Sequence, residues 1–485
     1  MIYHSTRNRG VTADSAQAVL SGLAPDGGLF LPAALPEFDA AACLSGTPEQ
    51  MAVQILSALL PDIPHMDTLV HRGYSGKFTA PDLTPTVKAG DFTVLELFHG
   101  PTSAFKDIAL CMLPQLLTAA REVKGQEKKI LILTATSGDT GKAALAGFAD
   151  VPGVGICVFY PDGGVSQIQR LQMATQEGAN VSVCAVRGNF DDAQTGVKRI
   201  FAACADGKLL ESRDFCLSSA NSINIGRLAP QIMYYFKAYR DLLDRGEVKS
   251  GESVNFSVPT GNFGDILAGY LARELGLPVG RLICASNANN VLTDFLRTGT
   301  YDRRRELHKT ASPSMDILVS SNLERLLYLL SRDPDLVRSL MEQLSEQGFY
   351  TVPASLKEKL DALFWGDFCT DEAGTRIIGR VWADYGYLCD PHTACGWAAA
   401  ERYRAATGDC APMVVLSTAS PYKFADAVLT GLGASVPEDA FDRMDLLQEK
   451  TGVPIPRNLA SLKGKPILHR TVLDREEMLP FVLKR

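Results

Sequence analysis

The sequence predicts an α/β fold with two open, mainly parallel sheets. From about residue 130 onward, short β-branched runs alternate with longer amphipathic stretches, the pattern of parallel strands joined through helices. The strand, glycine-bearing turn and helix of "VNFSVPTGNFGDILAGYLAREL" (254–275) begin a second such set, so two layers are expected. At 485 residues the chain also exceeds one compact core and calls for two or three domains.

The first ninety or so residues, including "GLAPDGGLFLP", read as loops with scattered helices. "KILILTAT" (129–136), "GICVFYP" (155–161) and "NVSVCAV" (180–186) read as buried strands, and "GKAALAGFAD" and "SQIQRLQMATQEGA" between them as helices. In "IGRLAPQIMYYFKAYRDLLDRG" the apolar spacing predicts one buried helical face, with Pro230 at a first turn or a kink. "LDRGEVKSGES" (243–253) is polar and turn-rich, a boundary or a surface crossing. "PMVVLSTAS" (412–420) is a late strand that leads towards the helix "KFADAVLTGLG".

The totals exclude several function classes. Hydrophobic residues at 46% and charged residues at 21% are ordinary globular usage. A net charge of -7 offers no basic field, so no nucleic-acid partner is expected. The opening "MIYHSTRNRG" has no apolar core for a signal peptide and no run reaches bilayer length, so we expect a cytoplasmic protein with no membrane partner. Eleven cysteines stand singly, without any C-x-x-C, and no H-E-x-x-H occurs; no metal is expected.

Three loops fall at strand ends, where open α/β sheets bind ligands. In "PTGNFGD", Gly261 and Gly264 let backbone N–H groups approach an anion at a helix start, which is a phosphate cradle; a plain glycine turn is the alternative. "TSGDTGKAAL" (136–145) fails the P-loop spacing, and its Ser137 or Asp139 could simply cap a helix. "LSTASPYKF" (416–424) sets Ser417, Thr418 and Ser420 at a strand end, able to bond a pyridine nitrogen or to cap the next helix. In "HGPTSAFKD" (99–107), Lys106 alone would read as a surface charge. Beside a phosphate cradle it suggests an amine activated by burial for Schiff-base chemistry with pyridoxal 5'-phosphate.

These residues carry a family resemblance. "YHSTRNRG", "LSGLAPDGGLFLP", "LELFHGPTSAFKD", "TSGDTG", "SSANSINIGRLAPQ", "PTGNFGDILAGY", "SSNLERLLY", "DPHTACG" and "LSTASPYKF", in order along the whole chain, resemble the bacterial and fungal threonine synthases among the fold type II pyridoxal phosphate enzymes. The resemblance implies an N-terminal region over 1–95, a smaller α/β domain over 96–220 with Lys106 at its edge, and a larger cofactor-binding domain over 221–485. It implies that Lys106 binds the cofactor covalently and is the catalytic base. The turn Gly261, Asn262, Phe263, Gly264 and Asp265 would hold the cofactor phosphate, and Thr418 would face the pyridine nitrogen. Ser137, Gly138, Asp139 and Thr140 would hold the substrate carboxylate through backbone N–H groups and hydroxyls, since the Asp139 carboxylate would repel it.

The implied substrate is O-phospho-L-homoserine, converted with water to L-threonine and phosphate by β,γ-elimination and replacement. Its phosphate needs a cationic pocket, for which Arg227 and Arg325 are candidates, with Asn221, Ser222, Asn224, Ser321 and Asn322 as neighbours; a structural ion pair is the alternative for each arginine. A dehydratase or a phosphate lyase on a related amino acid, or a silent cofactor-binding protein, are the other readings. "TASPYKF" carries Ser420 where the family pattern has histidine, so no histidine role carries over there, and His392 reads as structural. No long extension precedes "STRNRG", so we expect no activation by S-adenosylmethionine, and the resemblance is compatible with a monomer or a homodimer.

Overall fold

The computed structural model describes residues 1–136, 138–204 and 208–485. Its six-stranded sheet runs Phe364–Phe368, Val279–Ser286, Val254–Pro259, Met413–Ser417, Phe92–Glu96 and Thr86–Ala89, every pairing parallel except the last. A five-stranded, wholly parallel sheet runs Thr471–Leu473, Val181–Val186, Val154–Pro161, Lys129–Ala135 and Phe215–Ser218. Both sheets are assembled across the linear segments 1–95, 96–220 and 221–485. Thr86–Ala89 and Phe92–Glu96 belong to the six-stranded sheet, and Thr471–Leu473 belongs to the five-stranded one.

The strands read as unbroken apolar runs because both faces are covered. In Lys129–Ala135, Ile130 and Ile132 point into the main core, while Leu131 and Leu133 point to a separate core under the helices Phe190–Ala203 and Met478–Leu483. Pro230 lies in a 3₁₀ turn, Ala229–Gln231, between the helices Ile225–Leu228 and Ile232–Asp244, so the expected kink is there. At the N-terminus the loops and helices are joined by a three-stranded antiparallel sheet of Asn8–Asp14, Ile2–Ser5 and Phe30–Pro32. Pairing between short segments with little alternation is what composition alone does not reveal there.

The helix Lys106–Val123 is the hinge piece between the sheets. Its residues from Asp107 to Pro114 are all buried, and the helix Asp139–Phe148 lies across it. At that crossing a Cβ on Gly147 would collide with the carbonyl oxygen of Leu110. No helix among the described residues is long and apolar enough to cross a membrane.

Gly147→Ala should therefore push the two helices apart, a cost on the order of 1–3 kcal/mol seen as a lower thermal midpoint. Gly374→Ala, inside the helix Asp371–Tyr385 with its nearest neighbour at 3.8 Å, should hold or raise the midpoint. Equal effects of the two in a thermal melt would contradict the close approach.

Candidate active site

Three loops meet at the start of the helix Lys106–Val123. The Phe105 N–H donates to the Thr418 carbonyl at 2.8 Å and the Ser420 N–H to the Ser103 carbonyl at 3.1 Å, with Ala104 and Ala419 paired between them. This short antiparallel stitch sets Thr418 beside Lys106. Asp107, fully buried, accepts from the Thr102 N–H at 2.8 Å and from the Thr102 hydroxyl at 2.6 Å, closing the turn from below. Lys106 Nζ points into the crevice and donates to Ser314 Oγ at 3.0 Å. Desolvation brings its amine down to about 8, with Lys423 and Arg227 pushing the same way against Asp139. An amine in that range is available as a base near neutral pH.

The second loop carries a buried ion pair. Asp139 begins the helix Asp139–Phe148 but does not cap it; Oδ1 lies 2.5 Å from Lys423 Nζ and accepts from Gln169 Nε2 at 3.1 Å. Lys423 also donates to the Thr102 carbonyl at 3.2 Å. Burial would raise the Asp139 carboxyl, but Lys423 and Lys106 outweigh it and hold the group well below the usual carboxylate range. The expected repulsion of an anionic substrate by Asp139 is thus cancelled locally. Gly138 has φ +144°, and a Cβ there would run into Gln169, so glycine is required. Thr140 is half-buried, and Ser137 lies outside the described residues.

The third loop, Gly261 to Asp265, turns into the helix Gly264–Glu274 through Phe263 at φ +64°, with no side chain capping that helix. A Cβ on Gly261 would come within 2.6 Å of the Ser314 carbonyl oxygen. The segment 320–325 backs this turn: Ser320 Oγ donates to the Gly261 carbonyl at 2.7 Å, and Asn322 donates to the Asn262 carbonyl from both its N–H and Nδ2 at 3.1 Å. Uncapped N–H groups behind a glycine that no Cβ could replace could hold an anion.

The remaining candidates divide into two sets. Arg325 is fully buried, and its donor nitrogens go to the Phe30 carbonyl, the Ile223 carbonyl and Asn322 Oδ1. Asn224 caps the helix Ile225–Leu228 and donates to the Val19 carbonyl at 2.8 Å. These two staple the N-terminal region to the site. Arg227 is 4% exposed, donates from Nη1 to the Ala220 carbonyl at 2.8 Å, and has a buried Nε with no partner. Burial lowers it to about 10, and among the described residues no carboxylate pairs with it. Ser321 Oγ is likewise buried without a partner, Ser222 is half-buried with its carbonyl accepting from Asn322 Nδ2 at 3.1 Å, and Asn221 is exposed.

His392 has structural partners on both ring nitrogens: Nδ1 donates to Asp390 Oδ2 at 2.5 Å and Nε2 accepts from the Ser314 N–H at 3.3 Å. Ser420 caps the 3₁₀ turn Pro421–Phe424, which accounts for a hydroxyl at that position. The sequence reading missed Ser314, Gln169 and Lys423. Lys423 lay inside a quoted motif, and a lysine one turn beyond a site loop was a usable signal; Ser314 and Gln169 carried none. Among the described residues no group of three or more His, Cys, Asp or Glu is placed to hold a metal ion.

The chain is similar to known proteins along nearly its whole length. The family model "Pyridoxal-phosphate dependent enzyme" matches residues 77–419, with "Threonine synthase N terminus" over 2–74 and "Threonine synthase, C-terminal" over 393–466. Threonine synthase of Pseudomonas aeruginosa is 39% identical over 487 residues, covering 96% of this chain and all of that protein. Human threonine synthase-like 1 is 38% identical over 95% of the chain, which spans 62% of that protein's length. The crystal structure of PLP-bound threonine synthase from Brucella melitensis superposes with a TM-score of 0.88 at 36% identity, covering 100% of this chain and 98% of that one.

Replacing Lys423 by methionine leaves Asp139 buried and short of its nearest cation, a loss on the order of 3–5 kcal/mol at neutral pH. Wild-type Asp139, held low, contributes stability above the ordinary carboxylate range and loses it as pH falls. In the variant the carboxyl rises and takes a proton sooner. The stability gap between the two proteins should therefore be widest at pH 7–8 and narrow towards pH 5, measured by thermal unfolding across that range.

Proposed function

The chain belongs to the threonine synthase family of pyridoxal-phosphate-dependent enzymes, and on that premise we propose that it converts O-phospho-L-homoserine and water to L-threonine and phosphate. The observation that carries the substrate is Arg227, a buried guanidinium with no carboxylate partner among the described residues, close enough to Lys106 to lower its amine. A cation desolvated without a counter-charge is costly to keep, and an anionic group of the substrate would offset that cost.

The residues present fit the cofactor. The uncapped turn Gly261 to Asp265 would take its phosphate, Lys106 its aldehyde carbon, and Thr418 would stand at its ring nitrogen. Pyridoxal phosphate supplies the electron sink that stabilises negative charge on the substrate's carbon framework. Lys106 Nζ removes and returns the Cα proton, and Ser314 Oγ, 3.0 Å away, orients that amine. Backbone N–H groups of Asp139 and Thr140 hold the substrate carboxylate, the Gly138 N–H being given to Thr136 Oγ1 at 3.0 Å, with Lys423 keeping the Asp139 charge balanced. Arg227, Ser321 and Ser222 receive the phosphate that leaves; Asn322 and Arg325 act one step back, by fixing the turn and the N-terminal region. Burial of these donors keeps water out until it is needed at Cβ. We place the reaction in the cytoplasm, on a monomer or a homodimer.

Purified cofactor-loaded protein given O-phospho-L-homoserine should release phosphate and threonine in equal amounts. Phosphate with a ketoacid would make it a lyase, and turnover of unphosphorylated serine or threonine instead would make it a dehydratase. Lys106→Ala should fold and form no threonine. Arg227→Gln removes a charged hydrogen-bond donor and should cut kcat/KM by roughly 10- to 100-fold, as expected for about 1.5–3 kcal/mol. The same variant should lose much of its inhibition by inorganic phosphate.

A further inference from the structure

Asp265 is 6% exposed at the second position of the helix Gly264–Glu274, and the steps above give its side chain no task. Its two oxygens are treated very differently. Oδ1 accepts from the hydroxyls of Tyr234 at 2.6 Å and Tyr235 at 2.9 Å, and the Tyr235 hydroxyl also reaches the Asp265 carbonyl at 2.9 Å. Oδ2 is buried and has no partner. An ionised carboxylate accepts on both oxygens, so a buried one leaves no oxygen bare without a large penalty. A neutral carboxylic acid accepts on one oxygen and donates from the other, which is the asymmetry seen here, lacking only an acceptor.

The charges nearby do not favour the ionised form. On the helix Ile232–Asp244 the facing groups are the two tyrosines. On Ile225–Leu228 the charged group is Arg227, which donates to the Ala220 carbonyl. On Leu323–Ser331, Arg325 is committed to carbonyls and to Asn322, while Glu324 is taken up by Arg7 and Thr6. Burial pushes the Asp265 carboxyl up to about 7, and the tyrosine hydroxyls pull back only part of the way. A phosphate dianion in the same turn would favour the neutral acid further.

We propose that Asp265 works as a carboxylic acid that donates its proton from Oδ2 to the phosphate group of the cofactor, so that capture of the phosphate ester is linked to proton uptake. The inference rests on reading Gly261 to Asp265 as the phosphate cradle. The chemical class recognised is a phosphate monoester in its dianionic form, and an uncharged or amide donor at this position is what the site requires.

The test uses the full chain freed of cofactor and titrated with pyridoxamine 5'-phosphate, an amine that cannot condense with Lys106. Asp265→Asn keeps an acceptor for the tyrosines and presents an amide donor at every pH. The wild-type dissociation constant should rise relative to that of Asp265→Asn by up to about tenfold per pH unit between pH 7 and 9, where the ester stays dianionic. Titration of Lys106 affects both proteins and cancels in the ratio. Equal pH dependence in the two proteins, with Gly261→Ala weakening binding, would overturn the role of Asp265 while keeping the cradle. Equal dependence with Gly261→Ala without effect would overturn the cradle as well.

Discussion

Where the lysine stands is decided by the antiparallel stitch between residues 103–105 and 418–420. Lys106 opens a helix that packs against the five-stranded sheet's helices, whereas Thr418 ends a strand of the other sheet. Backbone bonds at 2.8 and 3.1 Å between those two segments bring the amine and the strand-end hydroxyl to one point without using a side chain. The cost is visible in Ser103, a non-glycine residue at φ +59°, a conformation worth on the order of 1–3 kcal/mol of strain. Asn458 holds it there, with Nδ2 donating to Ser103 Oγ and to the Pro101 carbonyl, both at 2.9 Å.

Around that point the protein has arranged unequal charges. Asp139 and Lys423 satisfy one another, Lys106 is pushed towards neutrality by burial and by its cationic neighbours, and Arg227 has no carboxylate partner among the described residues. The three states serve three tasks. A balanced pair gives shape without net field, an amine near neutrality exchanges protons, and an uncompensated cation attracts an anion. Were Arg227 paired to a carboxylate like most arginines, its field at Lys106 and its attraction for phosphate would both fall away.

Much of this was legible in the sequence, for stated physical reasons. The central strands were readable because both faces are buried, which forces runs such as "KILILTA" and "VNFSVP". The turn after Pro259 was readable because close approach to Ser314 and a positive φ at Phe263 demand the glycine-rich "TGNFGD". The N-terminal three-stranded sheet was not, since its strands are short and one is largely exposed. Nor was the division of labour between Arg227 and Arg325: both sit in motifs, and only the placement of carbonyl oxygens around Arg325 distinguishes a staple from an unpaired cation. Ser314 reaches the lysine across 208 positions of chain, a separation at which no local pattern operates.

The course of the last fifty residues constrains how such a site closes. Leu459 and Leu462 pack in the core of the six-stranded sheet, together with Ile168 from a helix of the other sheet's side. Further on, the Leu468 and His469 N–H groups donate to the Ala174 carbonyl, and Thr471–Leu473 pairs with Val181–Val186. One segment thus ties both sheets together and, through Asn458, grips the lysine turn as well. A wide rigid-body opening would have to strip Ile168 out of a shared core, at roughly 1.5–3 kcal/mol for a buried aliphatic side chain, and to lift the half-buried Leu171 away from it. A shared core of this kind favours a fixed pair of sheets, which keeps Lys106, Thr418 and Asp139 in one geometry.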